Sequence, residues 1–341
     1  MRLVQYTDNT RQLPERVAVL DGETLIDLTS TPNAPTSLFE IYYANGGDQG
    51  GLVQACENLI PDGERRALGD LLTNTTDRKR PHLRSSVTPP AGASDQLRVW
   101  LAGVTHEDSA KLREIEAKQS TGVDVNVYDQ KYREASEGGI PELFAKSDSA
   151  GILAHGEAVS RPDSTLRLVP ETELVTVYGL RRDGTIDRIG YTGGNDYTDN
   201  GIEAQNPLNL PQAKNWSGGC ASLGPILVTD DEFDDAEVEV SCSVIRNGAS
   251  VSSKTGFTGQ KHLNMPDGLF HLEKSLFERI PLPPRHLQVL YWGTPIVFSD
   301  ADLEAGLLDG DVVAMTFANI GNLENPVADW SPPPQLSRLK S

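Results

Sequence analysis

The sequence contains few cysteines and few lysines. Its 341 residues include Cys56, Cys220 and Cys242, which are too few and too widely spaced for a disulfide framework or a zinc site. Ten Lys stand beside twenty Arg, and 49 Asp and Glu bring the net charge to −19. A chain this acidic repels phosphate, which excludes general binding to nucleic acid or to an anionic membrane.

The charge pattern also bears on the environment of the protein. Low lysine, excess carboxylate and a hydrophobic content of 38% together favour adaptation to concentrated salt, with an ordinary acidic cytosolic enzyme as the alternative. Residues 1–13 lack the apolar core and cleavage site of a signal peptide. No run of about 18 apolar residues occurs, so no membrane-spanning helix is predicted and a cytoplasmic location is expected.

Most common catalytic motifs are missing from the sequence. It has no GxxxxGK[ST] or GxGxxG phosphate loop, no GxSxG nucleophile elbow, and no HExxH or CxxC metal motif. The acidic run 230–235 lacks the glycine and the final glutamate of an EF-hand loop. We interpret that run as a solvated turn.

Length and pattern predict two domains. Residues 1–90 alternate short strands and helices and are expected to form a small α+β domain, and residues 96–335 a larger catalytic domain. The stretch 78–95 is polar, contains three prolines and predicts a linker. A charged helix is expected at 107–120.

The larger domain is predicted to consist mainly of strands. Asp183-Gly184 and Asn247-Gly248, like Asp21-Gly22 near the start, separate segments of strand character and predict hairpins. Further strands are expected at three apolar segments, 97–104, 289–294 and 311–317. Many short strands separated by turns predict a β-rich roll. The expected fold class is therefore α+β.

Two glutamates mark the start of the apolar segment after Pro170. Glu171 and Glu173 are two residues apart, so in a strand both side chains point to one face. They repel each other unless a cation lies between them. About twenty residues later, the segment 193–199 returns another carboxylate to the pair. Three carboxylates predict a site for Mg²⁺, Mn²⁺ or Ca²⁺, and a solvated strand edge is the alternative.

These glutamates are part of a longer pattern that resembles the fumarylacetoacetate hydrolase superfamily. Five of its motifs occur in order over about 160 residues: Glu171-Thr172-Glu173-Leu174, Gly194-Asn195-Asp196, Gly224-Pro225, Gly293-Thr294 and 320–327. The resemblance implies a roll-shaped catalytic domain. It also implies a divalent metal, usually Mg²⁺, bound by Glu171, Glu173 and Asp196.

The superfamily includes C–C hydrolases, decarboxylases, isomerases and dehydratases. Its hydrolases have a histidine in an Asn-Tyr-x-x-His segment after the first strand of the catalytic domain. Here Ser109 stands at that histidine position and His106 at the tyrosine position, which argues against hydrolysis. The segments 141–146, 155–158 and 203–214 are similar to the sugar-acid dehydratases, which convert 2-keto-3-deoxy-pentonates to 2,5-dioxopentanoate.

With this resemblance, further residues receive roles. Lys214 is the expected base for the C3 proton, with a hydroxide at the metal as the alternative, and Glu142 is the expected acid for the C4 hydroxyl. A surface salt bridge for Lys214 and a plain helix carboxylate for Glu142 are the structural alternatives. His106 is expected to bind a substrate hydroxyl or to belong to a lid. The substrate carboxylate is expected to contact three residues, Lys146, Gly293 and Thr294.

Two other functions stay open at this point. One is a hydrolase, decarboxylase or isomerase of the same superfamily that acts on a 2-oxo diacid. The other is a non-catalytic acidic binding protein that keeps the fold. The expected partners are a small anionic 2-oxo sugar acid and further copies of the chain, in a homodimer or homotetramer. Neither nucleic acid nor a membrane is expected.

Overall fold

The computed structural model describes residues 1–31, 34–74, 77–107, 111, 127–148 and 151–331. The helix expected at 107–120 falls largely outside these ranges. No α-helix of the described residues is long and apolar enough to cross a membrane. Their α-helices are Leu38–Ala44, Gln49–Leu59, Gly69–Leu72, Val127–Ser136, Asn200–Glu203, Leu210–Lys214 and Leu269–Phe277.

Strands make up most of the regular structure. Numbered along the described chain, they are β1 (Arg2–Thr7), β2 (Glu15–Asp21), β3 (Thr24–Asp27), β4 (Glu64–Ala67), β5 (His82–Leu83), β6 (Leu97–Gly103), β7 (Glu142–Asp148), β8 (Ile152–Leu153), β9 (Val159–Pro162), β10 (Leu168–Val169), β11 (Thr172–Leu180), β12 (Ile186–Asp196), β13 (Thr198–Asp199), β14 (Ala221–Leu223), β15 (Ile226–Thr229), β16 (Val238–Arg246), β17 (Ala249–Thr258), β18 (Leu287–Tyr291), β19 (Val312–Phe317) and β20 (Gly321–Trp330). The strands expected at 97–104, 289–294 and 311–317 are confirmed as β6, β18 and β19, with small shifts at their ends.

Turn residues determine the hairpins. Asn247 and Gly248, between β16 and β17, have φ values of 53° and 78°, which suit a two-residue type I′ turn. Gly22 and Gly184 also have positive φ, in the β2–β3 and β11–β12 hairpins. All three predicted hairpins are confirmed by their strand pairing.

One large sheet joins the first strands of the chain to the later ones. Its path runs β4-β3-β2-β1-β15-β12-β11-β18-β6-β7, with β5, β8 and β14 attached beside it. β1 pairs antiparallel with β15, and Arg2 lies opposite Val228. The regions expected as domains 1–90 and 96–335 thus share a sheet, and the boundary between them stays a prediction. A second sheet has the order β17-β16-β19-β20-β9.

The segment 78–95, expected as a linker, is partly built into the large sheet. Its strand β5 pairs with β1, and the N–H of Ser86 donates to the carbonyl of Gly224 at 2.9 Å. Leu83, Ser86 and Val87 are buried. The prediction of a linker at 78–95 is therefore wrong for residues 82–87.

β11 and β12 lie near the middle of the large sheet, and apolar clusters cover both faces of β11. Leu174 and Tyr178 belong to one cluster and Val175 and Val177 to the other, as the alternation of side chains along a strand predicts. A charged side chain on such a strand needs partners, because burying an unpaired charge is costly. Glu173 on β11 is such a side chain.

Asp187 on β12 connects the helices of the front region to the β11–β12 hairpin. Its buried carboxylate accepts hydrogen bonds from the Tyr42 hydroxyl at 3.1 Å and from the N–H of Gln49 at 2.7 Å. The guanidinium of Arg181 pairs with its other oxygen. Asp187 thus holds both helices, Leu38–Ala44 and Gln49–Leu59, against the sheet.

We expect Asp187→Ala to lower the free energy of unfolding by about 2–4 kcal/mol, because the Tyr42 hydroxyl and the Gln49 N–H each lose an acceptor. Arg181 is 44% exposed and can turn to water instead. Urea unfolding measures the change. Asp183→Ala is the matched control, since Asp183 is an exposed carboxylate in the same hairpin. Equal losses in both variants would contradict the connecting role of Asp187.

Candidate metal centre and active site

The β11–β12 hairpin brings the three predicted metal ligands together. Thr172 pairs with Asn195, so Asp196 lies opposite Glu171 and its N–H donates to the Glu171 carbonyl at 3.0 Å. Side chains opposite each other on paired strands point to the same face. One carboxylate oxygen from each of Glu171, Glu173 and Asp196 lies within 4.8 Å of the other two, and all three residues are buried.

Lys214 lies between two of these carboxylates. Its Nζ donates to Glu171 Oε2 at 2.8 Å, to Asp196 Oδ2 at 2.6 Å and to Thr198 Oγ1 at 2.7 Å. The residue ends the short helix Leu210–Lys214 and is 4% exposed. The surface salt bridge considered for Lys214 is therefore wrong. Part of the repulsion among the carboxylates is offset by this lysine.

Lys146 on β7 is a second lysine beside the carboxylates and pairs with Asp196. It is fully buried, and its Nζ lies 2.5 Å from Asp196 Oδ1, donates to the carbonyl of Tyr197 at 2.8 Å and sits over the ring of Trp216. A buried ammonium with these partners is not placed to meet a substrate, in contrast to the expected contact with the substrate carboxylate. In this structure Lys146 orients Asp196 and offsets its charge.

Two lysines face the three carboxyl groups, so a further positive charge is needed for all three to be ionised together. Burial, together with repulsion from Asp196 and Glu171, raises the pKa of Glu173 well above its usual range. A nearby cation favours the ionised form of such a group. Three buried carboxyl groups whose oxygens converge, and which outnumber the lysines beside them, fit a hard divalent cation such as Mg²⁺. The donor set of Glu171, Glu173 and Asp196 therefore suits the ion that the family resemblance implies.

Glu142 lines the same cavity as the carboxylates. It is the first residue of β7 and pairs with Gly103 at the end of β6, so the alternative of a helix carboxylate is wrong. A Cβ at position 103 would lie 1.9 Å from Glu142 Oε2, so a side chain there would displace this carboxylate. Gly103 is a site residue that cannot be recognised from sequence alone, because nothing local to it signals the approach of Glu142.

The cavity between these groups is small, about 30 Å³. That volume suits an ion or one or two water molecules, so a five-carbon substrate requires the walls to move. Glu203, 5% exposed at the end of the helix Asn200–Glu203, is a further carboxylate on the wall. Glu203 and Thr198 lie in the segments 203–214 and 193–199, whose sequences gave no sign of a role for either residue.

Gly293 and Thr294 lie on the cavity wall with their polar groups engaged by the protein. The N–H of Gly293 donates to Glu173 Oε2 at 2.7 Å, and the Thr294 hydroxyl donates to the carbonyl of Ile296 at 2.7 Å. Gly293 has a φ of 89°, a conformation that favours glycine. In place of the expected contact with the substrate carboxylate, this turn positions Glu173.

His106 does not line the cavity of the carboxylates. It lines a different cavity, of about 500 Å³, together with Phe257 and His262. Burial and the neighbouring His262 lower its pKa to about 3, so the ring is neutral at pH 7. The direct substrate contact expected for His106 has no support in this position. Ser109, which occupies the position of the hydrolases' histidine, lies outside the described residues.

Residues 118–328 match the family model for the fumarylacetoacetate (FAA) hydrolase C-terminal domain. The chain is 33% identical over 236 residues to 2-dehydro-3-deoxy-D-arabinonate dehydratase of Saccharolobus solfataricus, an overlap that covers 68% of this chain and 72% of that protein. It is also 33% identical over 234 residues to the probable 2-keto-3-deoxyxylonate dehydratase of Haloferax volcanii, which covers 68% of this chain and 73% of the relative.

A solved structure of 2-keto-3-deoxy-D-arabinonate dehydratase, complexed with magnesium and 2,5-dioxopentanoate, superimposes with a TM-score of 0.69 at 23% identity, over 97% of this chain and 100% of that one. At this identity the likeness concerns the fold, and it confirms the predicted α+β class with a β-rich roll. The family match extends over more than half of the chain and agrees with both relatives. The chain therefore belongs to the fumarylacetoacetate hydrolase family.

Proposed function

We propose that the protein is a hydro-lyase that depends on a divalent metal and converts a 2-keto-3-deoxy-pentonate to 2,5-dioxopentanoate and water. The observation that carries this proposal is a single cavity lined by three clustered carboxylates, a buried lysine and Glu142. The names of the two relatives support it, as do the magnesium and the 2,5-dioxopentanoate bound in the similar structure.

The proposed reaction removes water and then shifts a double bond. Loss of a proton from C3 and of hydroxide from C4 gives water and an unsaturated 2-oxo acid. Transfer of a proton from C5 to C3 of that acid gives an enol between C4 and C5. This enol becomes the aldehyde when C4 takes up a proton and the C5 hydroxyl loses one. The first step is feasible because the electron pair left at C3 spreads onto the 2-oxo oxygen. The site must therefore supply a base, an acid and positive charge near that oxygen.

The cluster of Glu171, Glu173 and Asp196 would hold the metal. When bound, Mg²⁺ supplies a positive charge that stabilises developing negative charge on the 2-oxo acid by several kcal/mol. The protein fixes the carboxylates in advance, since Lys146 holds one oxygen of Asp196 and the N–H of Gly293 holds Glu173. Fixed ligands of this kind reduce the reorganisation that metal binding requires.

Lys214 is the proposed base, because its Nζ lies on the cavity wall beside the carboxylates. Burial and a cation bound nearby both favour the neutral amine of Lys214, and this amine would take the proton from C3. Glu142 is the proposed acid, which gives a proton to the hydroxyl that leaves C4. The absent side chain of Gly103 leaves room for it. Glu203 is a further carboxylate within reach of a polyhydroxyl chain that enters the cavity.

The test is an assay with 2-keto-3-deoxy-xylonate and 2-keto-3-deoxy-arabinonate, in low and high salt, with 2,5-dioxopentanoate as the measured product. We expect product in the presence of Mg²⁺, loss of most of the activity after EDTA, and recovery when Mg²⁺ is added back. An acylpyruvate serves as the competing substrate. Release of pyruvate from the acylpyruvate, without dehydration of either pentonate, would show a C–C hydrolase instead. Full activity in EDTA would refute the requirement for a metal.

A further inference from the structure

A chain of hydrogen bonds connects His106 to the turn that holds Glu173. The His106 ring contacts Thr258 Oγ1 through Nε2 at 3.0 Å and Thr105 Oγ1 through Nδ1 at 2.9 Å. The Thr105 hydroxyl donates to the carbonyl of Trp292 at 2.6 Å. His106 therefore reaches the residue that precedes Gly293, although it lies outside the cavity of the carboxylates.

The carbonyl of Trp292 and the N–H of Gly293 belong to the same peptide unit. In a planar trans peptide these two groups point in opposite directions. Thr105 binds the carbonyl end at 2.6 Å, and Glu173 Oε2 binds the N–H end at 2.7 Å. Whatever fixes Thr105 therefore fixes the rotation of this peptide, and with it the direction of the N–H towards Glu173.

Counting protons assigns each donor in the chain. The single hydroxyl proton of Thr105 goes to the carbonyl of Trp292, so the Thr105 oxygen must accept from the His106 ring. The proton of the neutral ring is thus on Nδ1, and Nε2 accepts from the hydroxyl of Thr258. A histidine in the other tautomer would leave the Thr105 oxygen facing a lone pair.

The residues of this hydrogen-bond chain are almost fully buried. Thr105 is 1% exposed, His106 is 3% exposed, and Thr258 and Trp292 are fully buried. The approach to the turn is also tight, since a Cβ on Gly293 would lie 2.1 Å from Thr105 Oγ1. Thr105 and Trp292 line neither of the two cavities described above. Water cannot easily replace a lost partner of these two residues, so removal of one group leaves the next without its hydrogen bond.

We propose that His106 is a positioning residue that acts through Thr105 on the Trp292–Gly293 peptide, so that the Gly293 N–H stays directed at Glu173. This inference rests on the metal role of Glu173 in the proposed function. Removal of a group that orients a metal ligand through hydrogen bonds lowers the metal affinity by roughly 10–100-fold. His106 therefore acts on the metal site from a distance and does not touch the substrate.

The first test compares Thr105→Val with Thr105→Ser, by calorimetric titration of the metal-free protein with Mn²⁺. The serine variant keeps the hydroxyl and is expected to bind Mn²⁺ with the affinity of the wild type. The valine variant loses the donor to Trp292 and is expected to bind roughly 10–100-fold more weakly. Equal affinities in the two variants would overturn the proposal.

The second test separates the two ring nitrogens of His106. An amide nitrogen in His106→Asn can take the place of Nδ1, whereas His106→Gln places its amide near the position of Nε2. We expect the asparagine variant to keep Mn²⁺ affinity within a few-fold and the glutamine variant to match Thr105→Val. The control is His155→Asn, at another buried histidine, with unchanged affinity expected. Loss of turnover in both His106 variants at unchanged Mn²⁺ affinity would show direct contact with substrate and refute the proposal.

A measurement on the wild type tests the proposal even if the variants fail to fold. Nitrogen NMR of ¹⁵N-histidine-labelled protein should show a neutral His106 with its proton on Nδ1, and a proton on Nε2 would overturn the proposal. If the wild type binds no Mn²⁺, the metal assignment and this inference fail together. If Mn²⁺ binding depends on Thr105 but no dehydration occurs, the inference stands and the proposed function fails.

Discussion

Glu173→Gln is expected to lower Mg²⁺-dependent turnover by roughly a thousandfold, which corresponds to about 4 kcal/mol of lost transition-state stabilisation. The substitution keeps the size of the side chain and removes one of three clustered carboxylates. The lysines that hold Asp196 and Glu171 keep their partners. The variant should therefore fold like the wild type and lose the metal.

Melting experiments with and without Mg²⁺ separate this explanation from a general loss of stability. Burial and two neighbouring carboxylates disfavour the charge of Glu173 in the absence of an ion. The metal-free variant should therefore melt at a higher temperature than the metal-free wild type, and Mg²⁺ should no longer raise its melting temperature. Glu239→Gln, at an exposed carboxylate on β16, is the control. Wild-type turnover in Glu173→Gln would refute the metal centre.

Lys214→Met is expected to reduce kcat by roughly a hundred- to ten-thousandfold, the usual contribution of a general base. The same substitution leaves Glu171 and Asp196 facing each other without the ammonium that lies between them. Removing one partner from a buried ion pair costs about 3–5 kcal/mol. The metal-free variant should accordingly unfold at a lower urea concentration, and Mg²⁺ should stabilise it more than it stabilises the wild type.

Lys214→Arg separates the two roles of this lysine. Arginine keeps the positive charge but stays protonated, so it cannot accept a proton from C3. We expect this variant to be more stable than Lys214→Met and as inactive. Urea unfolding and the dehydratase assay together measure the difference. An arginine variant with the turnover of the wild type would show that Lys214 serves only to balance charge.

Part of the metal site follows from local sequence, and part depends on one irregularity. Counting outwards from the turn, where Leu180 pairs with Ile186, would place Asn195 opposite Glu171. A shift in register between Val177 and Tyr178 changes this, so that Asp196 takes that place. A bulge moves every following side chain to the other face of the strand. Nothing in the sequence of the hairpin reveals it, and Asp196 was identified through the family motif.

The roles of Lys146 and of the Gly293 turn depended on distant contacts. Lys146 could be recognised as a lysine near the site, but its neighbours Asp196, Tyr197 and Trp216 are about 50–70 residues further along the chain. Period-two spacing identifies the face of a strand, yet it does not show what covers that face. The homo-oligomer, the adaptation to salt and the cytoplasmic location stay predictions.

The pairing of β1 with β15 affects the order in which the protein can fold during synthesis. Arg2 leaves the ribosome more than two hundred residues before its partner Val228. Until then, residues 2–4 of β1 lack the strand that pairs with them in the native sheet. A strand of another nascent chain can pair at this edge instead. Contacts of such long sequence separation also slow folding. The yield of refolded protein should therefore fall as the concentration of unfolded chain rises, even though native molecules repel each other through their negative charge.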